Sequence, residues 1–97
     1  MRYLVQQTET FAQWHSELRD MRARIAIARR LERAAEGNLG DAKALGGGLS
    51  ELRVDVGPGY RVYFTRRGDA IVVLLCAGDK SSQASDVRRA RKMAKEV

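Results

Sequence analysis

The chain is expected to fold as an α+β domain, a mainly antiparallel four-stranded sheet with two N-terminal helices on one face and a C-terminal helix. Three observations point there. Two strand-like segments with alternating apolar positions flank Gly57-Pro58-Gly59, the run Ala70 to Ala77 is apolar at every position, and residues 10–36 and 82–96 carry helical spacing. The order is β-α-α-β-β-β-α.

Tyr3 to Gln7 reads as a short first strand. Thr10 and Gln13 have the spacing of a capping box, and Phe11, Trp14 and Leu18 follow at helical intervals, which predicts a helix of about two turns. Asp20 opens a longer second helix. Its apolar face is expected at Met21, Ile25, Ala28 and Leu31, with Arg19, Arg22, Arg24, Arg29, Arg30 and Arg33 on the remainder, and Gly37-Asn38 stops it. Residues 37–48 hold five glycines around Asp41 and Lys43 and read as a mobile loop.

Three strands are expected next, at about Leu49 to Val56, Tyr60 to Arg66 and Ala70 to Ala77. The last must be covered on both faces and therefore central. A tight turn at Gly57-Pro58-Gly59 would set Val56 against Tyr60, Val54 against Val62 and Leu52 against Phe64. The opposite face would then pair Asp55 with Arg61 and Arg53 with Tyr63, a surface suited to a phosphodiester, with Lys80 arriving from the next strand. A final helix from Ser82 to Glu96 presents Val87, Ala90, Met93 and Ala94 to the sheet.

Composition bounds the possibilities. Ninety-seven residues with 44% apolar content make one domain, 1–97, around one modest core. Eighteen Lys and Arg against 12 Asp and Glu leave a net charge of +6, which favours nucleic acid or an acidic protein as partner, although a soluble protein can be basic without either. Cys76 is the single cysteine, so an internal disulfide is excluded and a reducing cytoplasm is the expected location. Met1 to Gln7 is too short for a signal peptide, and the apolar run at 70–77 is too short to span a membrane. His15, the single histidine, leaves no histidine cluster for a metal and reads as a partly exposed helix residue, so neither a histidine-built metal site nor a His-based hydrolytic triad is expected. Gly46 to Gly48 lack the Gly-Lys-Ser/Thr ending of a phosphate-binding loop. Neither cofactor nor metal is expected.

Phe11 to Trp14, Arg30-Leu31, Gly37-Asn38-Leu39-Gly40-Asp41-Ala42-Lys43, Glu51-Leu52-Arg53, Gly57-Pro58-Gly59-Tyr60-Arg61-Val62-Tyr63-Phe64 and Gly78-Asp79-Lys80-Ser81-Ser82-Gln83 together resemble the addiction-module killer proteins, a HigB-like branch of the RelE/ParE toxin superfamily. The resemblance spans nearly the whole chain. It implies a toxin of a bacterial type II toxin–antitoxin system, with a cognate antitoxin that is a small helix-turn-helix DNA-binding protein. RelE-like members cut mRNA on the ribosome, whereas ParE-like members share the fold and act on DNA gyrase. The resemblance further implies Arg61 as the phosphate-gripping arginine and Arg53 and Lys80 as neighbouring basic groups; Lys43, Ser81 and Gln83 are the candidate RNA contacts around them. The aromatic that many RelE proteins carry at the start of the last helix has no counterpart, since Asp86 and Val87 stand there.

Metal-independent cleavage by the 2′-hydroxyl requires in-line orientation, neutralisation of the phosphorane oxygens and movement of two protons. Guanidinium groups serve the second need well and the third badly, because they stay charged. Lys80 serves as a base only where burial and neighbouring charge lower its pKa, and Tyr63 is the other candidate for proton transfer. Plainer roles exist for each. Arg53 and Arg61 can be solvated strand residues, Asp55–Arg61 a weak ion pair, Tyr63 a packing residue and Lys43 a solvated loop residue. A ParE-like gyrase inhibitor would not need the basic cluster. A noncatalytic RNA-binding module would want more exposed aromatics than this chain offers.

Overall fold

The apolar run is the strand on which the molecule is assembled. In the computed structural model, which describes residues 2–97, the elements are β1 (Leu4–Gln7), α1 (Glu9–Glu17), α2 (Met21–Ala35), β2 (Ala42–Gly46), β3 (Leu49–Val54), β4 (Tyr60–Arg67), β5 (Ile71–Asp79), a single 3-10 turn (Lys80–Ser82) and α3 (Gln83–Glu96). The sheet runs β1-β5-β4-β3-β2, antiparallel except where β1 pairs β5 in parallel. β5 is thus internal and apolar on both faces, while β4 holds the centre. Val72, Leu74 and Ala77 face α1 and α2 with Phe11, Ile27 and Leu52; Val73, Leu75 and Cys76 face α3 with Leu49, Tyr63 and Ala90.

A bulge explains why the consecutive residues Leu75 and Cys76 share one face. Tyr63 pairs with Cys76 but Phe64 with Leu74, so Leu75 is left without a partner on β4. Its carbonyl accepts a 2.6 Å hydrogen bond from the Thr8 hydroxyl, and Thr8 Oγ1 in turn accepts from the Phe11 amide at 3.1 Å. Thr8, not Thr10, is therefore the cap of α1. Asp20 caps α2 as expected, through the Ala23 amide. Gly37 ends α2 at a φ of 101°.

The buried stripe of α2 is Ala23, Ile27, Leu31 and Ala34, which leaves Met21 and Ile25 in solvent. Apolar periodicity supported both stripes. The one chosen has alanine near each end, and so little side-chain bulk there lets the helix backbone approach the sheet closely.

The glycine-rich segment is no loop. Ala42–Gly46 forms a fifth strand on β3, and the four-stranded expectation is corrected to five. Gly46, Gly47 and Gly48, with φ of 89°, 63° and 83°, make the turn into β3, so the glycines mark the ends of a strand. Side chains from two helices hold it down. Arg30 donates to the carbonyls of Arg53 (2.6 Å), Leu39 (3.0 Å) and Asp41 (3.3 Å), and Arg91 donates to Gly46 and Leu45 (3.0 and 2.9 Å).

The β3–β4 register differs by two residues from the expected one. Val54 faces Tyr60, Leu52 faces Val62 and Arg53 faces Arg61. A shift of two preserves which face each side chain occupies, so the apolar pattern could not detect it. The connection spans residues 55–59 and is closed by the Gly59 amide on the Val56 carbonyl at 3.0 Å. Asp55 leaves the strand, and its expected pairing with Arg61 is replaced. Among the described residues, no helix is long and apolar enough to cross a membrane.

Arg30→Ala should free the 38–46 segment, because three carbonyls lose a charged donor. We expect a loss of about 1–3 kcal/mol in urea denaturation. Amide exchange should speed up across Ala42–Gly46 while β4 and β5 stay protected; unchanged protection of β2 would refute this anchoring role.

Candidate active site

Arg53 and Arg61 project from adjacent strands on the α3 side of the sheet, directly opposite each other. Like charges so placed repel, and two carboxylates compensate them. Asp41 Oδ1 accepts from Arg53 Nε (3.1 Å) and NH2 (2.8 Å) at an exposed position. Glu51, the one charged residue in the buried core among those described, lies one step diagonally from Arg61 and 2.9 Å from its Nε. The N–H is not aimed along that line, so the contact is an ion pair rather than an aligned hydrogen bond. Arg61 NH1 donates to the Tyr60 carbonyl at 3.2 Å.

These groups open on a cleft of about 190 Å³ lined by Asp41, Arg53, Asp55, Arg61 and Lys80. The Arg53 hydrogen bond holds the Asp41 carboxyl below its ordinary range, with Arg53, Arg30 and Arg61 charges adding to that effect against some desolvation. Reciprocally, Asp41 raises the Arg53 pKa.

Lys80 reaches the cleft because of two glycines. A Cβ on Gly59 would come within 2.8 Å of Lys80 Cε, so the bare backbone there is the bed on which the lysine stem lies. A Cβ on Gly78 would collide with the Asp86 carboxylate and approach Ser82 Oγ to 2.7 Å. Ser82 Oγ donates to Asp86 Oδ2 at 2.5 Å, fixing α3 over the end of β5. Asp79 caps the 3-10 turn through the Ser81 amide at 2.8 Å and the Ser81 hydroxyl at 2.5 Å, bonds that depress the Asp79 pKa. The Gly78-Asp79-Lys80-Ser81 motif is thus a device for turning the chain and aiming Lys80.

The structure brings Arg53, Arg61 and Lys80 together and withdraws Tyr63. Its ring is fully buried and its hydroxyl has no hydrogen-bond partner among the described residues. Burial first, then the charges of Glu51, Asp86 and Cys76, push its pKa up to about 12 against the opposing effect of Arg61. A hydroxyl so enclosed does not meet a substrate in the cleft, and the expected catalytic role gives way to packing. Lys43, opposite Glu51 on β2, is exposed at the sheet margin outside the cleft. Ser81 is committed to Asp79, and Gln83 opens α3, half-buried. Glu51 and Asp41 were present in the motifs but carried no assigned role. In the observed register, an acid two residues before Arg53 on the same strand face is the signal that would have found Glu51.

The five-stranded sheet and its helix order are shared with a toxin of known structure. A double arginine-to-alanine variant of E. coli toxin RelE in the free state superposes with a TM-score of 0.73, covering 100% of this chain and 99% of that one at 16% identity. The chain belongs to the family of phage-derived Gp49-like proteins, whose model matches residues 14–96. It is also 43% identical over 93 residues to an uncharacterised protein of Haemophilus influenzae strain Rd, covering 96% of this chain and 94% of that protein. The RelE-type resemblance therefore holds in fold, and the family to which the chain belongs is the Gp49-like one, with nothing that singles out a HigB-like branch.

Two measurements check the arrangement. Folding raises the Tyr63 pKa from 10.0 to about 12, so the folded state holds that proton more tightly. The resulting stability is complete below about pH 10 and drains away as pH climbs to about 12. Absorbance titration should show one tyrosine ionising last, and Tyr63→Phe should remove that step with stability unchanged or improved. Glu51→Ala leaves Arg61 without its buried counter-charge and should cost about 3 kcal/mol in thermal or urea denaturation; a loss under about 0.5 kcal/mol, the surface range, would refute the pairing.

Proposed function

We propose that this protein is the toxin of a type II toxin–antitoxin pair and a ribosome-dependent mRNA endonuclease of the addiction-module killer kind. The observation that carries the reading is Arg61, held from beneath by buried Glu51 and flanked by Arg53 and Lys80 around an open cleft, in a RelE-type fold. In cleavage the 2′-oxygen bonds to phosphorus, the bond to the 5′-oxygen breaks, and one proton leaves the nucleophile while another reaches the leaving oxygen. The two guanidinium groups neutralise the phosphorane by donating N–H groups to its oxygens. The exposed Asp41–Arg53 pair is readily exchanged for phosphate, whereas Glu51 stays beneath Arg61 throughout. Lys80 adds a third charge and, unlike an arginine, can pass a proton.

Lys43 and Gln83 extend the contact along the RNA backbone on either side, with Ser81 at the turn. Neither guanidinium can serve as the general base, which supports dependence on the ribosome for part of the geometry. The partner is a small helix-turn-helix antitoxin encoded beside the toxin, and the site of action is the cytoplasm.

Translation of a defined mRNA on programmed ribosomes tests the reading. Cuts should appear at ribosome-bound codons and be sparse on naked RNA. Arg61→Lys should lower single-turnover cleavage by roughly a hundredfold, about 2.7 kcal/mol, because charge is kept but the fork is lost. Lys80→Arg should retain most activity if Lys80 acts by charge and match Lys80→Ala if it moves a proton. Full activity in both Arg61→Ala and Lys80→Ala would remove this cleft from the mechanism, and gyrase arrest with intact mRNA would favour a ParE-like action.

A further inference from the structure

Exposed apolar surface gathers on α2. Met21 and Ile25, 57% and 46% exposed, are two of the four large hydrophobic side chains left in solvent among the described residues, and their spacing of four places them in one line. Beside them the helix and the β3–β4 loop enclose a cleft of about 350 Å³ lined by Arg22, Ile25, Ala26, Arg29 and Val56. A second cleft of about 300 Å³ shares Ala26, Arg29 and Val56 with the first and continues past Arg30 and Arg33 to Val54 and Asp55. The two make one groove along α2, with an apolar floor and a rim of four arginines opposed by a single carboxylate. Arg30 is turned to the carbonyls of Arg53, Leu39 and Asp41, which leaves Arg22, Arg29 and Arg33 as the exposed cations of the rim.

We propose that this groove is a docking site for an acidic amphipathic segment of a partner protein, its apolar side chains on Met21, Ile25 and Val56 and its carboxylates on Arg22, Arg29 and Arg33. Charge complementarity selects that occupant. A nucleic acid would satisfy the arginines but leave the apolar line uncovered. A second copy of this chain would bring a net charge of +6 against a basic rim. Asp55 lines both the groove and the cleft that holds Arg53, Arg61 and Lys80. A segment that overruns the groove at this end lies across the cleft mouth, so docking and inhibition are one event. The partner's identity as the antitoxin rests on the function proposed above; the surface itself does not.

The test pairs the full chain with the purified product of the adjoining reading frame, by calorimetry at about 0.05 and about 0.5 M salt, where the Debye length falls several-fold. Ile25→Asp and Arg29→Glu should each weaken binding at least tenfold, and affinity of the unaltered chain should drop at high salt. Both side chains are exposed, so melting temperatures should stay within a few degrees. Ile25→Asp should cut mRNA on ribosomes at the normal rate yet escape inhibition by the partner. Equal affinity in Ile25→Asp and the unaltered chain would overturn the groove assignment. So would an Ile25→Asp protein that keeps the partner but loses a labelled single-stranded RNA oligonucleotide, which would make this face an RNA track. No binding by the unaltered chain would overturn the partner reading together with this one, whereas intact binding without cleavage would overturn the endonuclease reading alone.

Discussion

Two arginines facing each other across antiparallel strands are the constraint around which this end of the molecule is arranged. Arg53 and Arg61 repel, and the sheet would lose stability if their charges were left alone. The compensation is asymmetric. Asp41 holds Arg53 at the solvent edge, where the pair exchanges easily with an incoming anion, while Glu51 holds Arg61 from a buried position. One arginine is free to leave its carboxylate and the other is fixed. A site for a polyanion gains from that division: the fixed group supplies geometry without reorganisation, and the exchangeable one supplies capture.

The same asymmetry explains why β2 matters. Asp41 stands just before β2, and its carbonyl accepts both the Arg53 amide, at 2.9 Å, and Arg30. The strand that sequence composition presented as a loop is what brings the counter-charge to Arg53. Arg30, on α2, ties this arrangement to the helix face that also lines the arginine-rimmed groove.

Much of the fold was readable from the chain. An eight-residue apolar run demanded cover on both faces, Asp20 and Gly37 bracketed the long helix, and alternation assigned the hairpin side chains to their faces. What escaped followed from degeneracies. A two-residue slip preserves every facing, so only the loop's closing hydrogen bond from Gly59 to Val56 decides between registers. Apolar stripes through Ile25 or Ile27 have the same period, and the choice lies in how closely Ala23 and Ala34 let α2 approach the sheet. For the site, Arg53, Arg61 and Lys80 were evident as basic groups near one hairpin. Tyr63 looked available because alternation reports which face a residue occupies, not how deep under α3 it lies. Glu51 stayed hidden because its significance depends on the register.

The parallel pairing of β1 with β5 has a consequence in time as well as in space. Leu4 meets Ile71, and Thr8 bonds to Leu75, across 67 residues of chain, whereas β2 to β5 form a meander of neighbours. Closing the longer loop costs more chain entropy, so the meander can organise before the N-terminal strand is fastened. On a ribosome making this protein, residues 4–35 must wait with the Phe11 and Ile27 faces uncovered until the last third of the chain has emerged. The α2 groove and the basic cleft meet at Asp55, yet they draw on parts of the chain that come together late, so the two surfaces are completed together.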